Sequence, residues 1–213
     1  KTQLGDIADS LKKMGLAGLM SRPALMVGMV MLAAGFGFKI ASVPFQMWVP
    51  DVYEGAPTPV TAFLSVASKG AGFAVILRVF FIVFGWSTDM SSSWGILFAV
   101  LSALSMTVGN IIAISQGNIK RMMGYSSIAQ AGYLLVGLAA VGLAGPKESP
   151  AISSILFFLA SYTATNLAAF IAIIAISNRI NSDNISDYSG MVKRAPLLAA
   201  CLARTTSACV IGA

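Results

Sequence analysis

The sequence predicts an all-α polytopic membrane protein, a helical bundle of about five complete spans plus a truncated sixth, with one transmembrane helix broken. Three observations carry that expectation. Hydrophobic residues are 57% of the 213 and charged residues 10%, whereas about a quarter of a soluble domain is charged. Mean hydropathy is +0.82. Apolar runs long enough to cross a bilayer recur along the chain, and the first of them ends in a proline-rich stretch flanked by two lysines, Lys39 and Lys69.

Each run is measured against the roughly 20 residues a helix needs to cross about 30 Å of hydrocarbon. Helices are required, because backbone groups in lipid must be satisfied within the segment. Residues 1–23 read as a polar N-terminal connection and 24–200 as the transmembrane domain. The first run is Ala24 to Val43, followed by the Pro-rich stretch Pro44 to Pro59. The second runs from about Val60 to Phe84, with a polar turn at Gly85 to Ser93. Trp94 to Ser115 is the third, closed by the short connection Gln116 to Arg121. The fourth, about Met122 to Leu143, stops at Gly145-Pro146-Lys147, and the fifth, Pro150 to Ser177, opens into a hydrophilic loop from Asn178 to Arg194. A sixth begins at Ala195 but degrades at Arg204-Thr205-Thr206, too soon to span.

Charge and special residues narrow the function. The net charge of +6 sits mainly in short polar connections, as expected of cations flanking membrane helices, so nucleic acid is not an expected ligand. Cys201 and Cys209 match neither a CxxC redox pair nor a metal clamp. With no histidine in the chain, histidine metal sites and ordinary haem ligation are excluded for it. Lys1 to Arg22 is polar and mixed in charge, unlike a signal peptide. Three loops, Gln46 to Pro57, Gln116 to Arg121 and Asn178 to Arg194, fall on one side and carry Lys120, Arg121, Arg179, Lys193 and Arg194. The internal loops opposite carry Lys147 alone, so the positive-inside rule assigns the richer side to the cytoplasm. Lys1, Lys12, Lys13 and Arg22 lie opposite and pull the other way.

The hairpin around Lys39 and Lys69 is the strongest local signal. Pro44 has no N–H for the carbonyl of Ile40 and its ring clashes there, so the helix is expected to kink or break. Broken helices with liberated carbonyls are how transporters build ion sites. Lys39 lies 11 residues before Pro50 and Lys69 lies 10 after Pro59. At 1.5 Å per residue both sit roughly 15 Å from the same surface, so consecutive antiparallel helices bring them near each other. Lysine is suited to exchanging a proton in such a setting, and intramembrane charges are functional by default. The competing reading has each lysine snorkel to an interface or pair with a carboxylate as static support, and mid-helix depth disfavours snorkelling.

Weaker signals surround the pair. Ser126, Gln130 and Tyr133 fall at i, i+4 and i+7 on one helical face. They read either as the lining of a hydrated path or as hydrogen-bonding glue between helices. Ser161, Thr165 and Asn166 read the same way. Arg78 lies nearer a helix end and is expected to snorkel. Asp51 and Glu54 read as solvated residues of a connecting loop, and the 11 methionines as packing.

The stretch Gly35 to Lys69, GFGFKIASVPFQMWVPDVYEGAPTPVTAFLSVASK, resembles the antiporter-like membrane subunits of proton-pumping NADH:quinone oxidoreductase, respiratory complex I. Within that group, VYEGAPTPV followed by FLSVASK is similar to the branch called subunit N, or subunit 2 in mitochondria. NIKRMMGYSSIAQAGYLLVGL, from Asn118 to Leu138, supports the same resemblance, which runs from about residue 2 to residue 200.

The resemblance implies a membrane subunit without a redox centre of its own, built from inverted repeats that each contain a broken helix. Lys39 matches the lysine of the broken helix and Lys69 that of the following helix, both held to relay protons. Lys120 matches a lysine at the start of a later helix, where a structural role is equally open. Gln46 and Gln130 occupy positions where histidine is common in the family, so any histidine step there passes to glutamine or water. The implied partners are the lipid bilayer and the other membrane and hydrophilic subunits of the complex. Those subunits hold FMN, iron–sulfur clusters and quinone and supply the link to NADH. The implied location is an energy-coupling membrane, a prokaryotic plasma membrane, crossed several times. The chain is expected to be an internal fragment, because the glutamate-bearing helix that the family pairs with the first lysine is absent. Residues 201–213, CLARTTSACVIGA, are expected to be an aberrant C-terminal tail. Two other readings stay open: a subunit of a multisubunit cation/proton antiporter, and a structural scaffold of the membrane arm. Nothing resembles a phosphate loop, metal cluster or flavin site, which disfavours an independent oxidoreductase.

Overall fold

The computed structural model describes residues 3–20, 23–84, 88–144 and 151–211. Segment 1–23 holds a helix where composition suggests a connection: α1, Leu4–Met20. Leu4, Ile7, Ala8 and Leu11 recur at helical spacing, Ala8 and Leu11 are buried, and this stripe packs against the helix that follows Lys69.

The first span, α2, covers Pro23–Ile40 and ends three residues earlier than Val43. Ala41 adopts a left-handed φ of 61° and the Val43–Pro44 bond is cis. α2 has ended by Ile40, so Pro44 lies four residues past its last residue. The Pro-rich stretch is not a plain loop either, since α3 occupies Trp48–Gly55. Pro50 sits in its first turn, where the missing N–H has no helical partner to lose. Val49 and Tyr53, four residues apart, are both buried and anchor it.

The second span is continuous over Thr58–Phe84, but not uniform. It runs as α4, Thr58–Phe63, a π turn, Leu64–Ser68, and α5, Lys69–Phe84. The third span, α6, is Thr88–Ile114; it includes Thr88 to Ser93, expected in a turn, whereas 85–87 lie outside the described residues. The fourth, α7, is Ile119–Ala144, and the turn expected at Gly145 to Lys147 is likewise outside them. The fifth, α8, is Ala151–Ile180, so the expected hydrophilic loop starts later and contains a 3-10 turn, Ile185–Tyr188, and α9, Met191–Arg194. Among the described residues, five helices are long and apolar enough to cross a membrane. The last helix, α10, Pro196–Ile211, has 16 residues and runs to the end of the described residues. It continues through Arg204 to Thr206 without a break.

α7 is the most buried span and the hub of the bundle, packed on α6, α8, α3 and α10. α6 and α7 run side by side at a distance that small residues set. A Cβ built on Gly142 would lie 2.6 Å from the Gly95 Cα, so neither glycine has room for a methyl group. One apolar core, with Phe73, Ile76, Phe80, Trp94, Phe98 and Leu135, joins α5, α6 and α7. A second, with Val49, Tyr53, Met123, Ile128 and Phe170, packs α3 between α7 and α8.

Candidate functional site

Lys69 is the first residue of α5 and is 3% exposed. Its Nζ donates to the backbone carbonyl of Ser127 on α7. Ser127 Oγ donates to the Gly124 carbonyl at 2.8 Å, and the Ser127 side chain also hydrogen-bonds Tyr53 on α3. No ion pair among the described residues includes Lys69. A buried ammonium without a counter-ion is costly.

Four residues before Lys69, Ser65 is fully buried in the π turn. Asn166 Nδ2, on α8, donates to Ser65 Oγ at 2.6 Å, and the Tyr162 hydroxyl donates to the Ser65 carbonyl at 3.3 Å. Lys69 thus lies in a buried polar zone to which α3, α5, α7 and α8 all contribute. Tyr53, Ser65 and Tyr162 carry no signal in the sequence beyond being polar. Of the Ser161, Thr165 and Asn166 group, Ser161 is exposed and Thr165 bonds within its own helix at 3.0 and 3.1 Å. Asn166 is the member that reaches across to another helix.

Lys39, at the end of α2, is exposed. Its stem passes the same part of α5: a Cβ on Gly72 would meet Lys39 Cγ at 3.8 Å. Gly72 is three residues past Lys69, one turn along the helix. The two lysines therefore meet α5 at successive turns, one head group enclosed and the other open.

The break after α2 is tightly bonded. Ser42 N donates to the Gly37 carbonyl at 2.8 Å, and Trp48 Nε1 to the Phe38 carbonyl at 2.9 Å. Val43 N donates to Ser105 Oγ on α6 at 2.9 Å. Carbonyls released by the helix end near Lys39 are thus partly reclaimed by the chain that follows. Ser42 Oγ and Gln46 Oε1 are buried there without a protein partner. Gln130 is 4% exposed on α7, close to the Ser127 turn. Tyr133, on the same face, accepts from Asn110 Nδ2 on α6 at 3.2 Å, which is helix glue.

Lys120 is in the first turn of α7, seven residues before Ser127 and so roughly 10 Å along the axis. Its Nζ pairs with Asp183 Oδ2 at 2.9 Å and donates to the Ala56 carbonyl at 3.3 Å. Asn118 Oδ1 caps this turn, accepting from the backbone N–H groups of Lys120 and Arg121 at 2.9 and 3.2 Å. Ser177 Oγ donates to Asp183 Oδ1 at 2.6 Å. Burial pushes the Asp183 carboxyl up, but Ser177 and Lys120 outweigh it and hold the group below the usual carboxylate range. Burial, and after it the Asp183 charge, pushes the Tyr188 phenol up to about 12. Arg121 Nη1 contacts Asp51 Oδ1 at 2.8 Å and Glu54 Oε2 at 2.7 Å, so these two acids are tethers of α3 rather than free turn residues. The three loops expected on one side do meet at this end of the bundle. Asp183, its central carboxylate, gives no signal in the sequence.

The chain belongs to the membrane family described as NADH:quinone oxidoreductase/Mrp antiporter, TM, whose family model matches residues 4–212. Within it, the chain is similar to NADH-quinone oxidoreductase subunit N. It is 51% identical over 196 residues to subunit N of Desulforamulus reducens, covering 92% of this chain and 38% of that protein. It is 46% identical over 203 residues to subunit N of Dehalococcoides mccartyi, covering 95% and 42%. The chain thus spans about two fifths of the length of the curated relatives it matches. Among solved structures, a chain of respiratory complex I from Thermus thermophilus aligns with a TM-score of 0.61 at 34% identity, over 84% of this chain and 36% of that one. A chain of the Mrp complex from a Dietzia species aligns with a TM-score of 0.80 at 21% identity, over 98% and 36%, a likeness of fold.

Proposed function

We propose that this chain is part of a proton-translocating membrane subunit of an NADH:quinone oxidoreductase and that protons pass through it by way of Lys69. One observation carries the reading: an enclosed lysine inside a membrane bundle, held by a backbone carbonyl and by no carboxylate among the described residues. A group that serves as static support is expected to sit in a fixed ion pair; one that transmits charge is not. Lys39, open on α2 and one turn along α5, is the group from which Lys69 exchanges a proton. The unpaired oxygens of Ser42 and Gln46 at the break, and Gln130 on α7, line the approach. Lys120 serves the structure rather than the path. NADH oxidation and quinone reduction take place in other subunits, which carry FMN and the iron–sulfur clusters. Reduction there alters the charge balance along the membrane arm and drives the proton across the Lys39–Lys69 step. The location is an energy-coupling membrane, the plasma membrane of a prokaryote.

Lys69→Met in the full-length protein within its complex tests this. Protons moved per NADH oxidised are expected to fall at least tenfold; an unchanged ratio removes Lys69 from the path. A second reading, a subunit of a cation/proton antiporter, is favoured by the fold shared with the Mrp chain. Mass spectrometry of the proteins that co-purify with the full-length chain in mild detergent separates the two. Flavin and iron–sulfur subunits support the first, and antiporter-type membrane partners alone support the second.

A further inference from the structure

The π turn that precedes Lys69 has one local contributor, the Ser65 hydroxyl, which donates to the Ala62 carbonyl at 2.7 Å. Leu64, Ser65, Val66, Ala67 and Ser68 contain neither proline nor glycine, and each is accepted in an ordinary α-helix. A π turn wraps one extra residue and disrupts the regular hydrogen-bond ladder, so it persists where outside partners hold it. Those partners lie on α8. Tyr162 donates to the Ser65 carbonyl at 3.3 Å, and Asn166 Nδ2 donates to Ser65 Oγ at 2.6 Å. Asn166 Nδ2 also donates to the Tyr162 hydroxyl at 3.3 Å, so the two side chains, one turn apart, act as a unit. Ser65, Tyr162 and Asn166 are 0%, 4% and 2% exposed.

We propose that Tyr162 and Asn166 are positioning residues: they pin the π turn at Ser65 and so set the direction in which Lys69 points. The inference rests on the reading of Lys69 as a proton-carrying group. Phe73, Ile76 and Phe80 lock α5 into the core, so the helix cannot rotate as a whole when the latch is lost. The movement left to it is migration of the extra residue past Lys69. Each residue that the bulge passes turns by about 100° and shifts by about 1.5 Å. Lys69 Nζ then leaves the Ser127 carbonyl and no longer faces α7. Tyr162 and Asn166 thus control the relay without touching the proton.

The test uses the full-length subunit in its complex, with Asn166→Leu, Tyr162→Phe, the double variant and Lys69→Met compared at equal amounts of assembled complex. Two quantities are read: protons moved per NADH oxidised, and the density of the Lys69 side chain by cryo-electron microscopy. The double variant is expected to lower the ratio about fivefold or more, with the π turn displaced and Lys69 turned away from Ser127. Asn166→Ser, which keeps a short polar group opposite Ser65, is expected to recover part of the loss. A ratio within twofold of the unsubstituted complex, while Lys69→Met abolishes it, overturns the inference and leaves the relay standing. A fall with Lys69 still on Ser127 also overturns it, because the residues would then act on the proton directly. An unchanged ratio in Lys69→Met removes the reading underneath. Should the double variant not assemble, Ser65→Ala, which deletes one hydroxyl, is expected to lower the ratio about twofold to threefold, and no change there counts against the latch.

Discussion

Two lysines are held by opposite ends of the same stretch of α7, and their surroundings differ in kind. At the first turn, Lys120 has a carboxylate at 2.9 Å, a backbone carbonyl at 3.3 Å and a capped helix start beneath it. Two turns further in, the Ser127 carbonyl receives Lys69, for which no ion pair exists among the described residues. Position in the membrane accounts for the contrast. At the edge of the bundle a charge keeps part of its hydration and can be spent on tying loops together. In the interior a fixed pair would hold the charge in place, which suits a support and defeats a conductor. The polar zone around Lys69 is built from hydroxyls, amides and carbonyls, which fits the role proposed for it.

Exchanging the same residue type at the two sites breaks or sharpens that contrast. Lys69→Met is expected to have the largest functional effect, the tenfold loss of proton transfer given above, with the amount of assembled complex kept within about twofold. Lys120→Met is expected to reverse the pattern. It leaves the Asp183 carboxylate partly buried without its cation, at a cost of about 2 kcal/mol, and the amount of assembled complex should fall severalfold. The proton-to-NADH ratio of what does assemble should stay near normal. Quantifying assembled complex and proton ratio for both variants checks the pair. A Lys120→Met complex that assembles fully and does not pump would place Lys120 in the path and cancel the distinction.

pH probes the edge cluster from both sides. Folding holds the Asp183 carboxyl below its ordinary value. Its contribution is therefore fully present above about pH 4, the unfolded value, and is lost as pH falls through the lowered one. The Tyr188 phenol is raised to about 12, so its contribution is full below about pH 10 and fades as pH climbs from there to the raised value. Hydrogen exchange of the backbone amides of Ile119 and Ile185, which donate to Asp183 and Gly117 at 2.9 and 2.8 Å, reports on this end after correction for the intrinsic rate. Protection is expected to hold through the neutral range and to weaken first at the two extremes. A loss centred near neutrality would mean that another group governs the cluster.

The spans were legible in the sequence because hydrophobicity is a property of composition, and all five runs became helices with ends shifted by a few residues. What escaped reading depends on tertiary partners. α3 was hidden by Pro50 and the prolines on either side of the helix, although Pro50 falls in a first turn, where proline costs little. α1 was hidden by its charges, which lie off the stripe formed by Leu4, Ile7, Ala8 and Leu11. The π turn had little signal, since the partners proposed to pin it sit about a hundred residues later on α8. Lys39 and Lys69 stood out because charge in an apolar run is rare. Asp183 did not, because an acid in a hydrophilic loop is ordinary until Lys120 is seen beside it.

The smallest expected effect concerns Arg121, the neighbour of Lys120 and a test of how far the edge cluster holds α3. Its guanidinium reaches Asp51 and Glu54 at 2.8 and 2.7 Å, but these side chains are 72% and 43% exposed. Exposed pairs of this kind contribute about 0–1 kcal/mol, and α3 keeps Val49 and Tyr53 in the second core without them. Arg121→Ala is therefore expected to leave assembly and proton ratio within about twofold, and added salt should narrow even that difference, because the contact is screened. Tyr53→Ala removes the buried anchor of the same helix and its bond to Ser127, so it should cost about 3 kcal/mol or more and disturb the Lys69 zone as well. If Arg121→Ala proves the more damaging of the two, α3 is held by its surface charges and not by its core.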